Sequence, residues 1–599
     1  MTRLRILPLL LALCLVLSAC GGNSSTPAQE DPADTGQSSA DTDSSGADGM
    51  FTARDLRVDY DEEKAAAITL TGSGGHCASS AVSLSGSTVT VLDEGTYIFT
   101  GSLTGQIVVD APEDAKVQLV LRGVTVHSES SAALYVKQAD KVVVTLEGES
   151  ALSCGDSFTA IDENNIDGAV YAKSDLSFNG SGSLTVTAPG GHGIVGKDDV
   201  VFTGGSYAIT CSGHGVDAND SVRCRAANFT VSAGKDAIHA ENSDDAALGF
   251  VYVESGSFAL EAQGDGISGS AAVQLLDGSY NVRCGGGSEN GQKQSSDNWG
   301  GFGGGMMPGG GMGGHGGKGP GGMAFNTVTA ADTAEDATSM KGIKAGTDLT
   351  ISGGTYTIDS ADDGLHSNGS LTVTGGSITI ATGDDGLHAE ENLSVTDGTV
   401  TVTESYEGLE GLHIAVSGGK ITLTSSDDGI NAAGGTDESG AGGRDQFAPG
   451  GMGGMSSGNG SILISGGEIY MNASGDGIDA NGSLEIIGGF TVVCGPMQGD
   501  TAVLDYDTTA AITGGTFIGT GSTMMAQTFT SSTQGVFAVT CGTQPAGTNI
   551  LLRDSSGSAV IDYTPTLPFG LVILSTPEMV SGDAYTVTVG ELSGTFEAA

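Results

Sequence analysis

A near-identical stretch of sequence recurs at a fixed interval and restricts the folds open to this chain. The stretches "SADDGLHSNGS" at 360–370 and "TGDDGLHAEEN" at 382–392 lie 22 residues apart. Each contains two adjacent acids, a glycine, an apolar residue and a histidine. Self-similarity with a period of about 20–50 residues is typical of solenoid folds. The chain is therefore expected to consist of stacked repeats.

The repeat extends well beyond these two stretches. The residue two positions before the apolar centre of each motif defines a row that we call the corner row. Its members are His192, His214, Asp236, Asp265, Lys341, Asp363, Asp385, Glu407, Asp428 and Asp476. A second landmark keeps the same interval, namely Gly353-Gly354, Gly375-Gly376, Asp397-Gly398 and Gly418-Gly419. Two independent features thus share one period.

One repeat, from Asp362 to Gly383, has room for three short strands and no helix. The alternating runs predict strands at Gly364–Ser367, Ser370–Thr374 and Ser377–Thr382, with the chain turning between them. Each strand is expected to pair with its equivalent in the next repeat, about 4.8 Å away. We therefore predict an all-β, single-stranded, right-handed parallel β-helix of about 22-residue coils with capping strands at both ends.

Composition changes along the chain suggest the domain organisation. Residues 1–20 resemble a bacterial lipoprotein signal peptide ending in a lipidated Cys20, and 21–50 read as a flexible tether. Residues 51–165 are expected to form an N-terminal cap and the first coils, 166–525 the β-helix, and 526–599 a C-terminal β cap. Gly/Met-rich insertions near 285–330 and 433–460 interrupt the period. They either wall a groove or are tolerated disorder.

The seven cysteines after Cys20 show no C-x-x-C spacing, which argues against a zinc site. Several follow an alternating run directly, so they are expected to be small buried residues at strand ends rather than a disulfide framework. Acids outnumber Lys and Arg by 72 to 22. This charge argues against nucleic acid as a partner. We expect a monomer held outside the cell by a lipid anchor, with no other contact to the membrane.

Stacked acids at the corners predict a cation site. The predicted ligands are Asp362, Asp363, Asp384, Asp385, Glu407, Asp427, Asp428 and Asp476. Two charges about 4.8 Å apart repel by roughly 3–4 kcal/mol at an effective dielectric of 20. The corners are therefore well solvated, protonated, or bridged by a cation, and Ca²⁺ suits carboxylates at irregular corners. The alternative is simple turn chemistry, because Asp-Gly is common in turns.

The residue after each apolar centre forms a second row, which we call the outer row. Its central part is Lys344, His366, His388, Glu410 and Asn431, with Asp217 and His239 earlier and Asp479 later. The neighbouring Ile343, Leu365, Leu387, Leu409 and Ile430 are expected to form the core. An outward row of polar side chains suits a hydroxyl-rich linear ligand. A transition metal on the His pair, or a merely solvated strand, are the alternatives.

The chain resembles the secreted bacterial β-helix family of carbohydrate-binding domain-containing proteins, known for binding cellulose and polygalacturonate. The resemblance rests on the "EGTYIFTGSL" opening, the repeated "DDGLH", the Gly/Met-rich insertions and the "ILLRDSSGSAVIDYTP" close. It covers roughly residues 52–595 and implies a pectate-lyase-like architecture with calcium at the Asp-Asp-Gly corners. Lys341 and Glu407 depart from aspartate, which places an unbroken calcium row in doubt.

These features lead to three functional hypotheses. The first is a cell-surface polysaccharide-binding protein, for cellulose or pectic polygalacturonate, with structural calcium and no catalysis. The second is a calcium-dependent polysaccharide lyase with Lys344 as base, assisted by His366 and His388, and with Arg444 nearby. The third is a structural or adhesive surface protein that calcium stiffens.

Overall fold

The computed structural model describes residues 49–159, 162–291, 339–433, 459–497 and 501–599, and this part of the chain is almost entirely β-strand. The signal peptide with Cys20, most of the tether, most of both Gly/Met-rich insertions and Arg444 lie outside these ranges. No helix within the described ranges has the length and apolar character needed to cross a bilayer.

The N-terminal part contains one short helix, α1 (Ala53–Leu56), and ten strands. The strands are β1 (Ala66–Gly72), β2 (Gly75–His76), β3 (Val82–Ser85), β4 (Thr88–Val91), β5 (Gly95–Thr104), β6 (Gln106–Asp110), β7 (Lys116–Ser128), β8 (Leu134–Gln138), β9 (Lys141–Glu147) and β10 (Glu149–Cys154).

The next segment is regular up to a short 3-10 helix at Ser288–Asn290. Its strands are β11 (Gly168–Ala172), β12 (Asp175–Gly180), β13 (Ser183–Ala188), β14 (His192–Gly196), β15 (Asp199–Phe202), β16 (Ser206–Cys211), β17 (Val216–Ala218), β18 (Ser221–Cys224), β19 (Ala227–Ala233), β20 (Ile238–Ala240), β21 (Phe250–Val253), β22 (Gly256–Ala262), β23 (Ile267–Gly269), β24 (Val273–Leu275) and β25 (Ser279–Cys284).

The segment 339–433 continues the same order of strands. They are β26 (Ile343–Ala345), β27 (Asp348–Ile351), β28 (Thr355–Ser360), β29 (Leu365–Ser367), β30 (Ser370–Val373), β31 (Ser377–Thr382), β32 (Leu387–Val395), β33 (Thr399–Glu404), β34 (Leu409–Val416), β35 (Lys420–Ser425) and β36 (Ile430–Ala432).

The remaining strands close the described chain. They are β37 (Gly460–Ile464), β38 (Glu468–Ala473), β39 (Ile478–Ala480), β40 (Gly482–Cys494), β41 (Leu504–Tyr506), β42 (Thr509–Gly521), β43 (Ser531–Ser532), β44 (Val536–Gln544), β45 (Ile550–Arg553), β46 (Ala559–Tyr563), β47 (Phe569–Ser575), β48 (Ala584–Val589) and β49 (Leu592–Glu597).

Strand pairing confirms the 22-residue period. From β11 to β28, each strand pairs in parallel with the strand three places on, which is its equivalent in the next repeat. The apolar row stacks in the predicted register, with Ile343 beside Leu365 and Leu365 beside Leu387, and all three are fully buried. The predicted strands of the repeat at 362–383 agree with β29, β30 and β31 to within one residue.

Stacking also organises the rest of the core. Phe258, Tyr280 and Tyr356 occupy equivalent positions in successive repeats, and their rings stack with centroids 4.8 and 4.4 Å apart. Five cysteines are buried at the ends of strands and unpaired, as the sequence indicates for this residue type. The interior is thus a set of columns, each made of like residues.

The C-terminal part leaves this pattern and pairs antiparallel. Strand β47 pairs antiparallel with both β42 and β44, so it lies between these two strands in the sheet. Strands β45, β46, β48 and β49 form a separate four-stranded antiparallel sheet. The last parallel edge is therefore covered rather than left as a template for aggregation.

Glycine is required at two positions of the repeat for different physical reasons. Gly376 has φ of 93°, a left-handed conformation that favours glycine, as a turn requires. Gly364 of the "DDGLH" motif is not in that region. A Cβ there would lie 2.7 Å from the carbonyl oxygen of Gly386 in the next repeat. The glycine of the motif is therefore needed for close approach between repeats and not for a left-handed backbone conformation.

Helix α1 is held by a buried ion pair. Thr52 and Asp55 cap the helix reciprocally. The Asp55 carboxylate is fully buried, lies 2.7 Å from Lys141 Nζ and accepts a 2.5 Å hydrogen bond from the Ser177 hydroxyl. Burial by itself raises the pKa of Asp55, but the Lys141 ammonium and the hydrogen bonds outweigh it and hold this pKa below its ordinary value.

Replacing Asp55 is expected to release α1 from the parallel strands. Asp55→Asn leaves the buried Lys141 ammonium with only the Asp175 carboxylate, 3.6 Å away, and breaking a buried pair in this way costs up to about 3–5 kcal/mol. Because the folded pKa is lowered, this contribution is complete above the unfolded pKa and is lost as pH falls through the folded value. The difference from wild type should therefore be complete near pH 7, begin to fall near pH 4, and vanish only below the lowered pKa of Asp55. Amide hydrogen exchange in α1 and β9 measures the difference.

Asp59→Asn is the matched control, because the Asp59 side chain is 88% exposed. Equal exchange rates in Asp55→Asn and Asp59→Asn at pH 7 would contradict the assignment of α1 to this ion pair.

Candidate functional site

The two polar rows lie side by side along one surface of the repeats. The outer row stacks in register, with Lys344 beside His366, His388 beside Glu410, and Asn431 beside Asp479. It continues upstream through Asp217 and His239 and ends downstream at Asp505. The corner row lies three residues earlier in each repeat, so each repeat presents a pair of polar groups at this surface.

The corner row makes a bond that the sequence analysis did not foresee. Its side chains accept a hydrogen bond from the backbone N–H of the equivalent residue in the next repeat. Asp236 accepts from the Asp265 N–H at 2.7 Å, and Asp363 accepts from the Asp385 N–H at 3.1 Å. Asp265, Asp385, Asp428 and Asp476 do the same. Aspartate recurs at this corner because one carboxylate oxygen binds the next repeat.

Lys341 replaces the aspartate with a buried cation. Its side chain is fully buried, and its ammonium lies 3.1 Å from Asp362 Oδ1 and 2.6 Å from Asp363 Oδ2. Burial raises the pKa of Asp363, yet Lys341 and the hydrogen bond from His366 hold it well below its ordinary value. The departure from aspartate at Lys341 therefore supplies positive charge to the next repeat.

The two histidines of the outer row are engaged inside the protein. His366 Nδ1 lies 2.8 Å from Asp363 Oδ2, and its Nε2 lies 2.9 Å from Asn368 Oδ1. Burial and the Lys341 charge lower the pKa of His366 to about 4. His388 lies between Asp385 and Glu410. These two acids outweigh burial and raise the pKa of His388 well above its ordinary value.

The central outer row is not the outward, solvated surface that the alternation predicts. His366 and His388 are each 2% exposed, and Glu410 and Asn431 are each 6% exposed. Lys344 is partly exposed, with its ammonium 3.3 Å from the Ser339 hydroxyl. Alternation places these side chains opposite the core correctly. It says nothing about the hydrogen bonds to neighbouring acids that withdraw them from solvent.

Beyond His388, the described residues place few positive charges beside the acids of the two rows. Burial, followed by the charges of Glu410 and Asp385, raises the pKa of Glu407 well above its ordinary value. Burial and Asp427 do the same for Asp428. Burial raises the pKa of Asp476 to about 7, and burial together with Asp505 raises that of Asp479 to about 6. The corner acids of this half are therefore not the well-solvated groups that one reading of the sequence allowed.

Two buried oxygens in this half accept no hydrogen bond from any described residue. They are Glu407 Oε2 and Asn431 Oδ1, while Glu407 Oε1 accepts a 2.9 Å bond from Asn431 Nδ2. An unsatisfied buried oxygen costs about 1–3 kcal/mol, and more when it is charged. Oxygen ligands of this kind fit Ca²⁺. The predicted ligands Asp362 and Asp363 instead lie beside Lys341, and Asp385 lies beside His388.

Sequence reasoning missed several acids close to these rows. Asp505 lies at the end of the outer row, but Ala502 replaces the acid of its motif, so no pair signals it. Asp175, Asp198 and Asp199 cluster at a different corner. Burial and neighbouring carboxylates raise the pKa of Asp198 to about 7. Recurrence of single acids at the strand starts Asp175 and Asp199 was the available signal.

Removing the buried ammonium is expected to destabilise the repeats on both sides of it. Lys341→Met keeps the apolar stem but leaves the carboxylates of Asp362 and Asp363 without that charge, at a cost of about 3–5 kcal/mol. The midpoint of thermal unfolding at neutral pH and amide exchange in β26 and β29 report the change. Lys420→Met removes a lysine from an exposed position and serves as control. An unchanged midpoint in Lys341→Met would contradict this role.

Comparison with known proteins gives one relative and one solved structure. A carbohydrate-binding domain-containing protein of Acetivibrio thermocellus is 32% identical over 133 residues, which is 21% of this chain and 46% of the relative. The chain thus spans about half the length of the curated relative it matches. The solved structure is that of a polysaccharide lyase-like protein from C. thermocellum as a gadolinium derivative. It is 28% identical, covers 36% of this chain and 89% of that chain, and has a TM-score of 0.35.

A family model covers most of the part of the chain described above. The model described as carbohydrate-binding domain-containing protein matches residues 85–386 and 385–548, and these matches include both polar rows from His192 to Asp505. On this basis the chain belongs to the family of carbohydrate-binding domain-containing proteins.

Proposed function

We propose that the three sets of parallel strands wind as a single-stranded, right-handed parallel β-helix. Three strands per repeat, each paired with its equivalent in the next repeat, support this arrangement. Parallel strands joined by crossover connections are right-handed in almost all known cases. One turn per repeat places both polar rows on the same side of the coil.

We propose that this protein binds polysaccharide and holds calcium without acting as an enzyme. Membership in the carbohydrate-binding family supports the class of ligand. The buried oxygens of Glu407 and Asn431, which no described donor satisfies, are the single observation that most favours a cation. Calcium bound among such oxygens keeps positions for water or for a ligand oxygen, because it takes six to eight ligands.

The proposed calcium region lies in the second half of the rows. Its oxygen ligands would come from Glu407, Asp428, Asn431, Asp476 and Asp479. Four other acids already have protein cations beside them. Lys341 contacts Asp362 and Asp363, and His388 contacts Asp385 and Glu410. A metal ion gains less from acids that already have such partners.

The exposed end of the calcium region is the proposed contact with polysaccharide. Asp479 and Asp505 are neighbours on the outer row and are both partly exposed. A divalent cation between such acids and a uronate carboxylate would cancel the repulsion between two negatively charged partners. Pectic polygalacturonate is therefore the proposed ligand that depends most on calcium, whereas neutral cellulose would depend on hydrogen bonds alone.

We also propose that the protein is held at the cell surface by a lipid on Cys20. The support is the leader-like sequence of residues 1–20, in which basic residues precede a short apolar run ending at Leu-Ser-Ala-Cys. A tether of about 30 residues would then carry the polar rows away from the membrane.

Calcium is expected to raise the midpoint of thermal unfolding of chelator-treated protein at neutral pH. A ligand at 100 times its dissociation constant stabilises the folded state by about 2.7 kcal/mol. Glu407→Gln and Asp428→Asn should each reduce this increase, because each removes a charged oxygen ligand. Glu404→Gln, at an exposed acid of the same repeat as Glu407, should retain it in full. An undiminished increase in the Glu407→Gln, Asp428→Asn double variant would contradict the assigned region.

Retention on calcium pectate gel and on insoluble cellulose tests the ligand directly. We expect retention on pectate that a chelator abolishes and that Asp479→Asn, Asp505→Asn weakens at least fivefold. Retention on cellulose, if present, should survive chelation. Absence of retention on either glycan would leave a structural role for the protein. Steady release of unsaturated product from polygalacturonate would show that it is a lyase.

A further inference from the structure

Two successive repeats carry histidine and aspartate in reversed order. The first has His214-Gly-Val-Asp217 and the second has Asp236-Ala-Ile-His239. Strands β17 and β20 pair so that Asp217 lies directly beside His239, and His214 lies one repeat from Asp236 on the corner row. The four side chains therefore form a compact group, which we call the His-Asp square. It lies upstream of Lys341 and apart from the calcium region.

The contact between His214 and Asp236 needs a positive charge. The backbone N–H of Asp236 lies 3.3 Å from His214 Nδ1 and can only donate, so this nitrogen presents a lone pair. Asp236 Oδ2 lies 3.3 Å from the same nitrogen. A lone pair and a carboxylate oxygen at that distance repel one another. A proton on Nδ1 or a metal cation would relieve this repulsion. Because Nδ1 has a single lone pair, a metal ion bound there would replace the hydrogen bond from the Asp236 N–H.

Asp217 fixes the second histidine in the orientation that a metal ligand needs. Its Oδ1 lies 2.8 Å from His239 Nδ1, and a carboxylate can only accept, so Nδ1 carries the proton. The opposite nitrogen, Nε2, then points toward Asp236 Oδ2 at 3.9 Å and Glu241 Oε2 at 3.7 Å. A carboxylate that holds the far nitrogen of a ligating histidine is the usual second layer of a metal site.

The spacing of these atoms suits a small divalent ion. Asp236 Oδ2 lies 3.3 Å from His214 Nδ1 and 3.9 Å from His239 Nε2. Bonds of about 2.0–2.2 Å in tetrahedral geometry separate the ligand atoms by about 3.3–3.6 Å. The separations of 3.3 and 3.9 Å around Asp236 Oδ2 bracket that range. Two imidazoles favour a transition metal over calcium, which prefers oxygen ligands.

The square is accessible, unlike the buried pair His366 and His388. His214 and His239 side chains are 13% and 16% exposed. A cleft of about 290 Å³ opens beside the square and is lined by Lys197, Asp217, Asn219, His239, Glu241 and Ser243. Of the three proposed ligands, His239 lines this cleft, so an ion bound to His239 is reachable from solution on that side.

We propose that the His-Asp square is a binding site for a divalent transition metal ion of the zinc class. His214 and His239 supply nitrogen ligands, Asp236 supplies carboxylate oxygen, and Asp217 orients His239. The remaining position faces the cleft, where water or an oxygen of a bound ligand completes the coordination. Calcium binding to the acids beyond His388 is independent of this site.

Titration of the full chain, prepared without a polyhistidine tag, with Co²⁺ tests the proposal. We expect visible absorption of tetrahedral Co²⁺ that saturates at one ion per chain, that Zn²⁺ abolishes, and that excess Ca²⁺ leaves unchanged. His214→Gln and His239→Gln should each weaken binding at least tenfold. His413→Gln, at an exposed histidine hydrogen-bonded only to Ser461 among the described residues, should bind as wild type.

Folding of each variant is checked by its calcium-induced rise in unfolding midpoint, which arises elsewhere in the chain. A variant that keeps this rise and loses Co²⁺ absorption supports the site. Absence of saturable Co²⁺ absorption in wild type, equal absorption in the His214→Gln, His239→Gln double variant, or displacement of Co²⁺ by Ca²⁺ would each overturn the proposal.

Discussion

The structure depends on a hydrogen bond that joins most neighbouring repeats of the corner row outside the β-ladders. A corner carboxylate accepts the backbone N–H of the equivalent residue one repeat on, as Asp363 does from Asp385 and Asp385 from Glu407. A hydrogen bond to a charged acceptor contributes about 1.5–3 kcal/mol. Because its geometry requires a short side chain at a fixed corner, it aligns the acids of neighbouring repeats, whether these lie 22 residues apart or are separated by an insertion.

Aligning acids in this way brings like charges together, and other groups of the polar surface offset their repulsion. The groups that do so differ along the row. Histidines alternate with aspartates around His214, the ammonium of Lys341 is inserted beside Asp362 and Asp363, and protonated His388 lies between Asp385 and Glu410. Beyond His388 the described residues provide little compensation, and there the carboxyl pKa values are raised. The calcium region is proposed where the chain has not supplied its own cation.

The sequence predicted the parts of the structure that follow from periodicity. The apolar column from Ile343 to Ile430, the strand limits and the stacking of the outer row all depend on spacing, which is visible in the letters. The burial of His366 and His388 was not predictable in the same way, because alternation gives the direction of a side chain and not its partners. The packing role of Gly364 was not predictable from its letter, because close approach between repeats and a turn both select glycine.

The His-Asp square is visible only when the residues of neighbouring repeats are compared, and not when the chain is followed in order. Neither His214-x-x-Asp217 nor Asp236-x-x-His239 is a metal motif by itself, and the corner row alone shows only a change from histidine to aspartate. Parallel register superposes the two reversed pairs, so each histidine meets a carboxylate from the neighbouring repeat. In a stacked fold, the differences between neighbouring repeats determine which side chains meet at the surface. The last histidine of the outer row, His388, marks the point beyond which the two rows are rich in carboxylate and amide oxygens.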